Sequence, residues 1–218
     1  MISGLYTAAS GLIAQTEQQD VIANNLANVN TTGYKKDRAL YVPFPTVFLN
    51  RINDEKIPVP GGMADAVSPI GYMGMGVQLR VDGIRPDITT EGSFVKTENS
   101  LDAAIKGNGM FMVMTPSGIK YTRDGNFTVN AENILVTKNG HPVMGHRGEI
   151  IIDGDEIFID ESGSIYINKT ETDTFRIALF ENDTPLRKQG DNLFYVLDGG
   201  VLPEAEEDDR SVRVIQGY

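Results

Sequence analysis

The chain has 218 residues, with 30 acidic against 19 basic side chains, so its formal net charge is −11 at pH 7. It contains no cysteine, no tryptophan and only two histidines, which excludes disulfides, thiol nucleophiles and cysteine-ligated metal sites. The acidic balance argues against broad binding to nucleic acid or to an anionic membrane, since both attract a basic face.

The first predicted element is a helix from residue 3 to about residue 28. Small and apolar residues recur along it at alternating spacings of four and three, a heptad seam typical of helix–helix contacts. Packing on the chain's own core is one interpretation. Because the seam is rich in small residues, and an isolated helix gains little stability in water, we expect a second helix to bury it instead. The seam consists of Leu5, Ala9, Leu12, Thr16, Gln19, Ala23 and Leu26.

Residues 34–76 are predicted to form an extended, semi-rigid arm rather than a regular sheet or a long helix. Five of the 10 prolines lie in this stretch, and proline fixes φ and removes a donor from the ladder of a sheet. The arm also carries aromatic and branched side chains, including Tyr41, Phe44 and Phe48, which a free linker does not need. We expect these side chains to anchor the arm on a surface, partly on a neighbouring molecule.

Residues 77–218 are predicted to form a β-rich outer domain, an antiparallel barrel or sandwich, because many short strands alternate with turn signals. Asp124–Gly125 and Asn139–Gly140 are expected to make type I′ turns, whose two central residues both need positive φ. The acidic run at residues 204–209 predicts a solvated loop. The predicted strands are residues 77–81, 109–114, 119–122, 127–129, 134–136, 149–152, 156–159, 164–167, 175–180, 193–196 and 211–215.

The sequence contains no arrangement typical of a catalytic, cofactor-binding or metal site. The acidic stretch that begins at Asp153 resembles a calcium loop, but Phe158 stands at its sixth position, where an EF-hand requires glycine. His141 and His146 have no further ligand at metal-binding spacing. Neither a nucleophile elbow nor a Walker loop occurs. We therefore expect no enzymatic activity, no cofactor and no metal.

Three blocks of sequence, in this order along the chain, resemble the signature of the bacterial flagellar rod and hook family. The first ends in I-A-N-N-L-A-N-V-N-T-T-G-Y-K at residues 22–35. The second is D-A-A-I-K-G-N-G-M-F at residues 102–111, and the third is Y-T-R-D-G-N-F at residues 121–127. The final I-Q-G-Y is similar to the beginning of the family's Q-G-x-L-E-x-S-N motif.

The resemblance implies a structural subunit of the flagellar basal-body rod, needed for motility. In such proteins the terminal helices line an inner tube and a β-rich domain packs outside, so residues 1–33 would form the axial helix. The partners would be further copies of the chain, other rod and hook proteins, and the flagellar type III export apparatus, with no nucleic acid and no membrane span. Export would deliver the chain to the periplasmic rod without a cleaved signal peptide, which agrees with the absence of a basic and then apolar region in residues 1–11. The partner of the first helix would be a C-terminal helix after Tyr218, which we expect to be missing from this chain.

Within the family, a proximal-rod position is favoured over a distal-rod or hook position, because residues 37–45 depart from the distal-rod pattern. The alternative outside the family is a β-rich carbohydrate- or protein-binding module with a helical stalk. We expect the asparagines near the end of the helix to bind neighbouring backbone, with simple helix capping as the other interpretation. The expected assembly interface comprises Leu5, Ala9, Leu12, Thr16, Ala23, Asn24, Asn25, Leu26 and Asn28.

Overall fold

The computed structural model describes residues 2–43, 47–59, 62–73, 77–154, 156–180, 184, 186–197 and 212–218. In these residues the chain is mainly β, with a long N-terminal helix, α1 (Ile2–Ala27), as predicted. The strands are β1 (Asp37–Pro43), β2 (Val47–Val59), β3 (Gly62–Met73), β4 (Val77–Pro86), β5 (Ala103–Lys106), β6 (Gly109–Thr115), β7 (Gly118–Thr122), β8 (Phe127–Val129), β9 (Leu135–Thr137), β10 (Met144–Gly145), β11 (Gly148–Glu149), β12 (Ile157–Ile159), β13 (Ser164–Ile167), β14 (Thr170–Thr174), β15 (Ile177–Leu179), β16 (Leu186–Gly190), β17 (Leu193–Val196) and β18 (Arg213–Gln216).

The chain divides into two compact units, which are described separately. The helix–hairpin unit comprises residues 1–24 and 38–84, and the β unit comprises residues 25–37 and 85–218. Among the residues with described coordinates, no helix has both the length and the apolar character needed to cross a membrane. The predicted acidic loop at residues 204–209 lies outside the described residues.

In the helix–hairpin unit, β2 and β3 form an antiparallel ribbon that runs from the pair Val47 and Met73 to the pair Val59 and Gly62. The expectation that residues 34–76 would lack a regular sheet is therefore wrong. Both strands of a two-stranded ribbon are edge strands, where proline is tolerated because half of the N–H groups face away from the partner. Pro69, opposite Asn50, lies within such a strand. The anchor predicted at Phe44 lies outside the described residues, and the structure describes no side chain at Phe48.

The β unit contains a five-stranded sheet in the order β15-β6-β7-β17-β16 and a three-stranded sheet in the order β12-β13-β14. Short pairs, β5 with β18, β8 with β9 and β10 with β11, complete the unit. These pairings are antiparallel, as predicted. Within the described part of the chain the sheets do not close into a barrel.

Strand β6 is buried on both of its faces. Its Phe111 packs in one apolar cluster with Phe127 and Phe175, with ring centroids 5.0 to 5.8 Å apart, while Met110 and Met112 lie in a second cluster. Successive residues of a strand point to opposite faces, so a strand between two clusters must be apolar throughout. This burial explains why β6 is an uninterrupted apolar run in the sequence.

The expected type I′ turns are wrong at both sites. Of the four residues involved, only Gly140 has a positive φ, of 80°. Gly125 is required for a different reason: a Cβ at this position would lie 1.5 Å from the carbonyl oxygen of Ala103 in β5. Paired positive φ values occur instead at Asn168–Lys169, between β13 and β14, and at Asp191–Asn192, between β16 and β17. Asparagine and aspartate tolerate this left-handed conformation better than other non-glycine residues.

Candidate functional site

One face of α1 in the helix–hairpin unit is exposed along its length, and that face carries the predicted seam. Leu5 is 72% exposed and Leu12 is 70% exposed, and the small residues between them and after them are exposed too. With 3.6 residues per turn, the seam lies about 170° around the helix from the buried residues. The exposed seam residues of this unit are Leu5, Ala9, Leu12, Thr16, Gln19 and Ala23, and the buried residues are Ser10, Ala14 and Val21.

Contacts within the helix–hairpin unit hold the buried face of α1. The Tyr41 hydroxyl of β1 donates a hydrogen bond to the carbonyl oxygen of Ala14, at 2.9 Å. Tyr41 was one of the predicted anchors, and it contacts the chain's own helix. On the seam side, the Thr16 hydroxyl donates to the carbonyl oxygen of Leu12, at 3.0 Å, so it is satisfied inside the helix. The exposed face therefore presents mainly methyl and isobutyl groups.

The asparagines near the end of α1 have different environments. Asn24 is exposed, and Asn28 is half-buried with its side-chain oxygen accepting from the Thr31 hydroxyl at 3.3 Å. In the β unit, the Asn25 carboxamide pairs with the backbone of Asp37: it donates to the carbonyl oxygen at 2.9 Å and accepts from the amide at 2.8 Å. Asn25 also accepts from the Tyr34 hydroxyl at 3.1 Å. Asn25 thus binds backbone, as expected of it, but the backbone belongs to its own chain.

Residues 25–37, here called the junction, dock on hairpin β16–β17 of the β unit. The ammonium of Lys188 lies 3.0 Å from the Asp37 carboxylate and 3.8 Å from the centroid of the Tyr34 ring, and it donates to the Lys35 carbonyl. Asn192, in the turn of the hairpin, donates to the carbonyl oxygen of Thr32 at 2.9 Å. The hairpin therefore contacts residues 32–37, where the first signature block ends.

The three signature blocks meet at the junction. A Cβ on Gly33, which has a φ of 66°, would lie 2.4 Å from the Asp124 amide nitrogen, so the first block lies directly on the backbone of the third. The Arg123 guanidinium donates to the carbonyl of Gly107, at 2.7 Å, and to that of Gly109, both in the second block. The residues that carry the resemblance are thus brought together by their contacts with one another.

A buried lysine and a half-buried arginine lie at this meeting point. The pKa of Lys35 is lowered to about 8, chiefly by burial and then by the positive charge of the nearby Arg123, while the carboxylates of Asp87 and Glu91 oppose the shift. Burial also lowers the pKa of Arg123 to about 10, against the opposing effect of Glu91. The Lys35 ammonium donates to the carbonyl oxygen of Thr90 at 2.7 Å. Hydrogen bonds to carbonyl groups thus replace much of the lost hydration of both cations.

Sequence reasoning missed hairpin β16–β17, the surface on which the junction docks. Lys188 lies on β16, which was not among the predicted strands, and Asn192 lies in a turn that was not among the predicted turns. Neither residue has a local pattern that points to a partner 153 or 160 positions earlier in the chain. Across the residues for which coordinates are described, no group of three or more histidine and carboxylate side chains could hold a metal ion.

Two family models match the chain. The model for the flagella basal body rod protein matches residues 5–35, and the model for the flagellar hook protein FlgE/F/G D1 domain matches residues 104–167. The first match covers most of α1 and the junction, and the second covers β strands of the β unit. Hairpin β16–β17, on which the junction docks, lies outside both matches.

Full-length relatives extend the similarity over most of the chain. The chain is 37% identical to the flagellar basal-body rod protein FlgG of Buchnera aphidicola subsp. Baizongia pistaciae, covering 89% of this chain and 74% of that protein. It is 36% identical to FlgG of Agrobacterium fabrum, covering 87% and 72%. It is 33% identical to the flagellar basal-body rod protein FlgF of Caulobacter vibrioides, covering 89% and 73%.

An exposed helical seam and a signature that docks on its own β unit are features of a structural assembly subunit. The chain belongs to the family of flagellar basal-body rod proteins. It is a structural component of the basal body that assembles with other rod and hook proteins, and it is not an enzyme. The resemblance inferred from the three blocks is confirmed, and it is favoured over the carbohydrate- or protein-binding module.

Proposed function

We propose that the chain polymerises into the tubular rod through the exposed face of α1, which packs against the terminal helices of neighbouring copies. The observation that carries the proposal is the separation of the two faces. Every seam residue is exposed, including Leu26 in the β unit at 69%, whereas the buried side of the helix contacts the chain itself. The contact surface comprises Leu5, Ala9, Leu12, Thr16, Ala23 and Leu26, with Asn24 and Asn28 beside it.

The composition of this face suits repeated, modest contacts. Burying a leucine side chain fully is worth about 1.5–3 kcal/mol, and the alanines at positions 9 and 23 let two helix backbones approach closely. A contact between two different patches of identical subunits builds an open helical array when its rotation does not close into a ring, so it can build a tube. Asn25 acts differently, because its carboxamide is already bound to Asp37.

Replacing Leu12 by aspartate tests this face. Leu12→Asp introduces a charge at a 70% exposed position, so the free chain should fold normally, whereas an apolar contact would have to bury that charge. We expect the variant to abolish rod incorporation and swimming. Gln18→Asp is the matched control, since Gln18 is exposed on the same helix outside the seam. Cells that carry Leu12→Asp and still build complete rods would show that the seam is not the contact.

Delivery by the flagellar export apparatus to the periplasmic rod, without cleavage, belongs to the same proposal. Membership of a family of basal-body proteins supports it. In cells with a disabled export apparatus, the chain should stay in the cytoplasm at an unchanged mass. A lower mass for the exported chain, or export without the apparatus, would contradict this route.

The proximal position along the rod, inferred from residues 37–45, also stays a prediction. The relatives named above include both FlgG and FlgF proteins. Cross-linking in purified basal bodies should place this chain beside the subunits nearest the inner membrane. Cross-links only to the hook end of the rod would overturn the position.

A further inference from the structure

We propose that the signature is divided between two jobs: the seam makes contacts with neighbours, whereas residues 32–37 form an internal docking element whose receptor is hairpin β16–β17. Lys188 is the positioning residue of this receptor. The docking itself stands on the contacts within the β unit. Only its consequence for assembly rests on the proposed function.

Lys188 binds three different groups of the docking element. Its ammonium contacts the Tyr34 ring, the Lys35 carbonyl and the Asp37 carboxylate, so it spans four consecutive residues. The side chains of Lys188 and Asp37 are only 23% and 15% exposed. A lysine ammonium has three donors and also binds the face of an aromatic ring, so one cation can satisfy all three partners only if residues 34–37 hold this conformation.

The receptor is organised by the sheet behind it. The turn at Asp191–Asn192 has φ values of 51° and 55°, and it joins β16 to β17 in the five-stranded sheet. Thr122 of β7 donates to the Asn192 carbonyl at 3.0 Å, which fixes the turn to the sheet. The Asn192 carboxamide then donates to Thr32 at the start of the docking element. Lys188 and Asn192 therefore hold the two ends of the same short segment.

Asp37 connects the docking element to the end of α1. Its carboxylate pairs with Lys188, and its backbone amide and carbonyl pair with the carboxamide of Asn25 in the last helical turn. The loss of Lys188 therefore releases both Asp37 and the hydrogen bonds that fix Asn25. The chemistry of the exposed seam is unchanged by that loss, so the two jobs can be separated by experiment.

The test is hydrogen exchange in the full chain, with Lys188→Met compared with Lys120→Met. Lys120 is a matched control, because it lies on β7 of the same sheet and its ammonium lies 4.8 Å from the Tyr195 ring centroid. The Asp37 amide, which donates to Asn25, reports on the junction. We expect Lys188→Met to raise its exchange rate about tenfold or more, and Lys120→Met to leave it unchanged. Exchange in β6 should be unchanged in both variants.

Equal protection of the Asp37 amide in Lys188→Met and in the unmodified chain would overturn the docking. A second pair of variants guards against general unfolding. Tyr34→Leu removes the ring and the hydroxyl that donates to Asn25, whereas Tyr34→Phe removes the hydroxyl alone, and we expect exchange about threefold faster in Tyr34→Leu than in Tyr34→Phe. In combination with Lys188→Met the two Tyr34 variants should exchange equally fast, because the ring acts through that ammonium. A difference between them that persists without Lys188 would contradict the shared site.

Assembly separates this inference from the proposed function. Lys188→Met should reduce rod incorporation and expose the junction, whereas Leu12→Asp should abolish incorporation with the Asp37 amide still protected. Normal incorporation of Lys188→Met, despite lost protection, would overturn the positioning role. Failure of Leu12→Asp to block incorporation would count against the seam alone.

Discussion

Replacing Gly33 by alanine should undock the junction from the rest of the β unit. A Cβ at this position would lie 2.4 Å from the Asp124 amide nitrogen and 2.5 Å from the carbonyl carbon of Arg123. These are main-chain atoms, and the Asp124 amide donates to the Thr122 hydroxyl at 3.1 Å, so they cannot move aside as a flexible side chain would. The junction itself must move.

The expected cost has two parts. A left-handed backbone, with a φ of 66°, costs alanine about 1–2 kcal/mol. Moving residue 33 outward by about 1 Å, to ordinary van der Waals distance, also breaks the hydrogen bonds on either side of it, from Asn192 to Thr32 and from Lys188 to Lys35. At about 1 kcal/mol net for each bond, the total reaches about 3–4 kcal/mol.

Gly140→Ala is the matched control for the backbone part. Gly140 has a φ of 80°, and a Cβ there would meet no atom within 4 Å, so this variant carries only the conformational cost. The assay combines urea unfolding of the β unit with exchange of the Asp37 amide. Gly33→Ala should accelerate exchange at Asp37 strongly while the β core stays folded. Gly140→Ala should lower the free energy of unfolding by about 1–2 kcal/mol and leave exchange at Asp37 unchanged.

The reasoning is refuted if Gly33→Ala and Gly140→Ala give the same exchange rate at the Asp37 amide. That result would mean that the close approach of Gly33 to the third block contributes nothing to docking. A loss of the whole β fold in Gly33→Ala would contradict a local opening of the junction.

Two further variants probe the β unit. Gly125→Ala places a Cβ 1.5 Å from the carbonyl oxygen of Ala103 and should lower the free energy of unfolding in urea by more than about 3 kcal/mol. Gly148→Ala, whose Cβ would lie in open space, should lower it by only about 1–2 kcal/mol, the cost of a positive φ. Equal losses in the two variants would contradict the close approach of Gly125 to Ala103. Lys35→Met should change the pH dependence of stability, because the pKa of Lys35 is about 8 in the folded chain and 10.5 when unperturbed. Between these pH values the unfolded chain binds more protons than the folded chain, so the stability of the unmodified chain relative to Lys35→Met should rise from pH 8 to 10.5, by at most about 3 kcal/mol. A difference in unfolding free energy that stays constant with pH would contradict burial of the charge.

The local sequence pattern was sufficient to predict those strands that are short apolar or alternating runs beside a turn. The predicted strands at residues 127–129, 164–167 and 193–196 have the same bounds in the structure. Each is a short apolar or alternating run beside a turn signal, and its partner is near in sequence or buried in the same core. The helix was also predictable, because its apolar spacing continues over seven turns with only a one-residue difference at each end.

The features that sequence reasoning missed are of two kinds. Some depend on partners distant in sequence, and others have a local sequence pattern that is compatible with more than one structure. The ribbon β2–β3 was missed because proline excludes a central strand but not an edge strand. The turn at Asn168–Lys169 was missed because asparagine alone is a weaker cue for positive φ than an adjacent glycine. Lys188 looks like an ordinary surface lysine, since nothing in its neighbourhood indicates an ion pair with Asp37.

The exposed face of α1 makes the free subunit sensitive to salt. Five large apolar side chains of this helix (Leu5, Leu12, Ile13, Ile22 and Leu26) are more than half exposed, which favours self-association. The net charge of −11 opposes it, because identical subunits repel one another over about 8–10 Å at physiological ionic strength. Raising the ionic strength weakens the repulsion and leaves the apolar attraction, so the concentration at which free chains begin to associate should fall as salt is added.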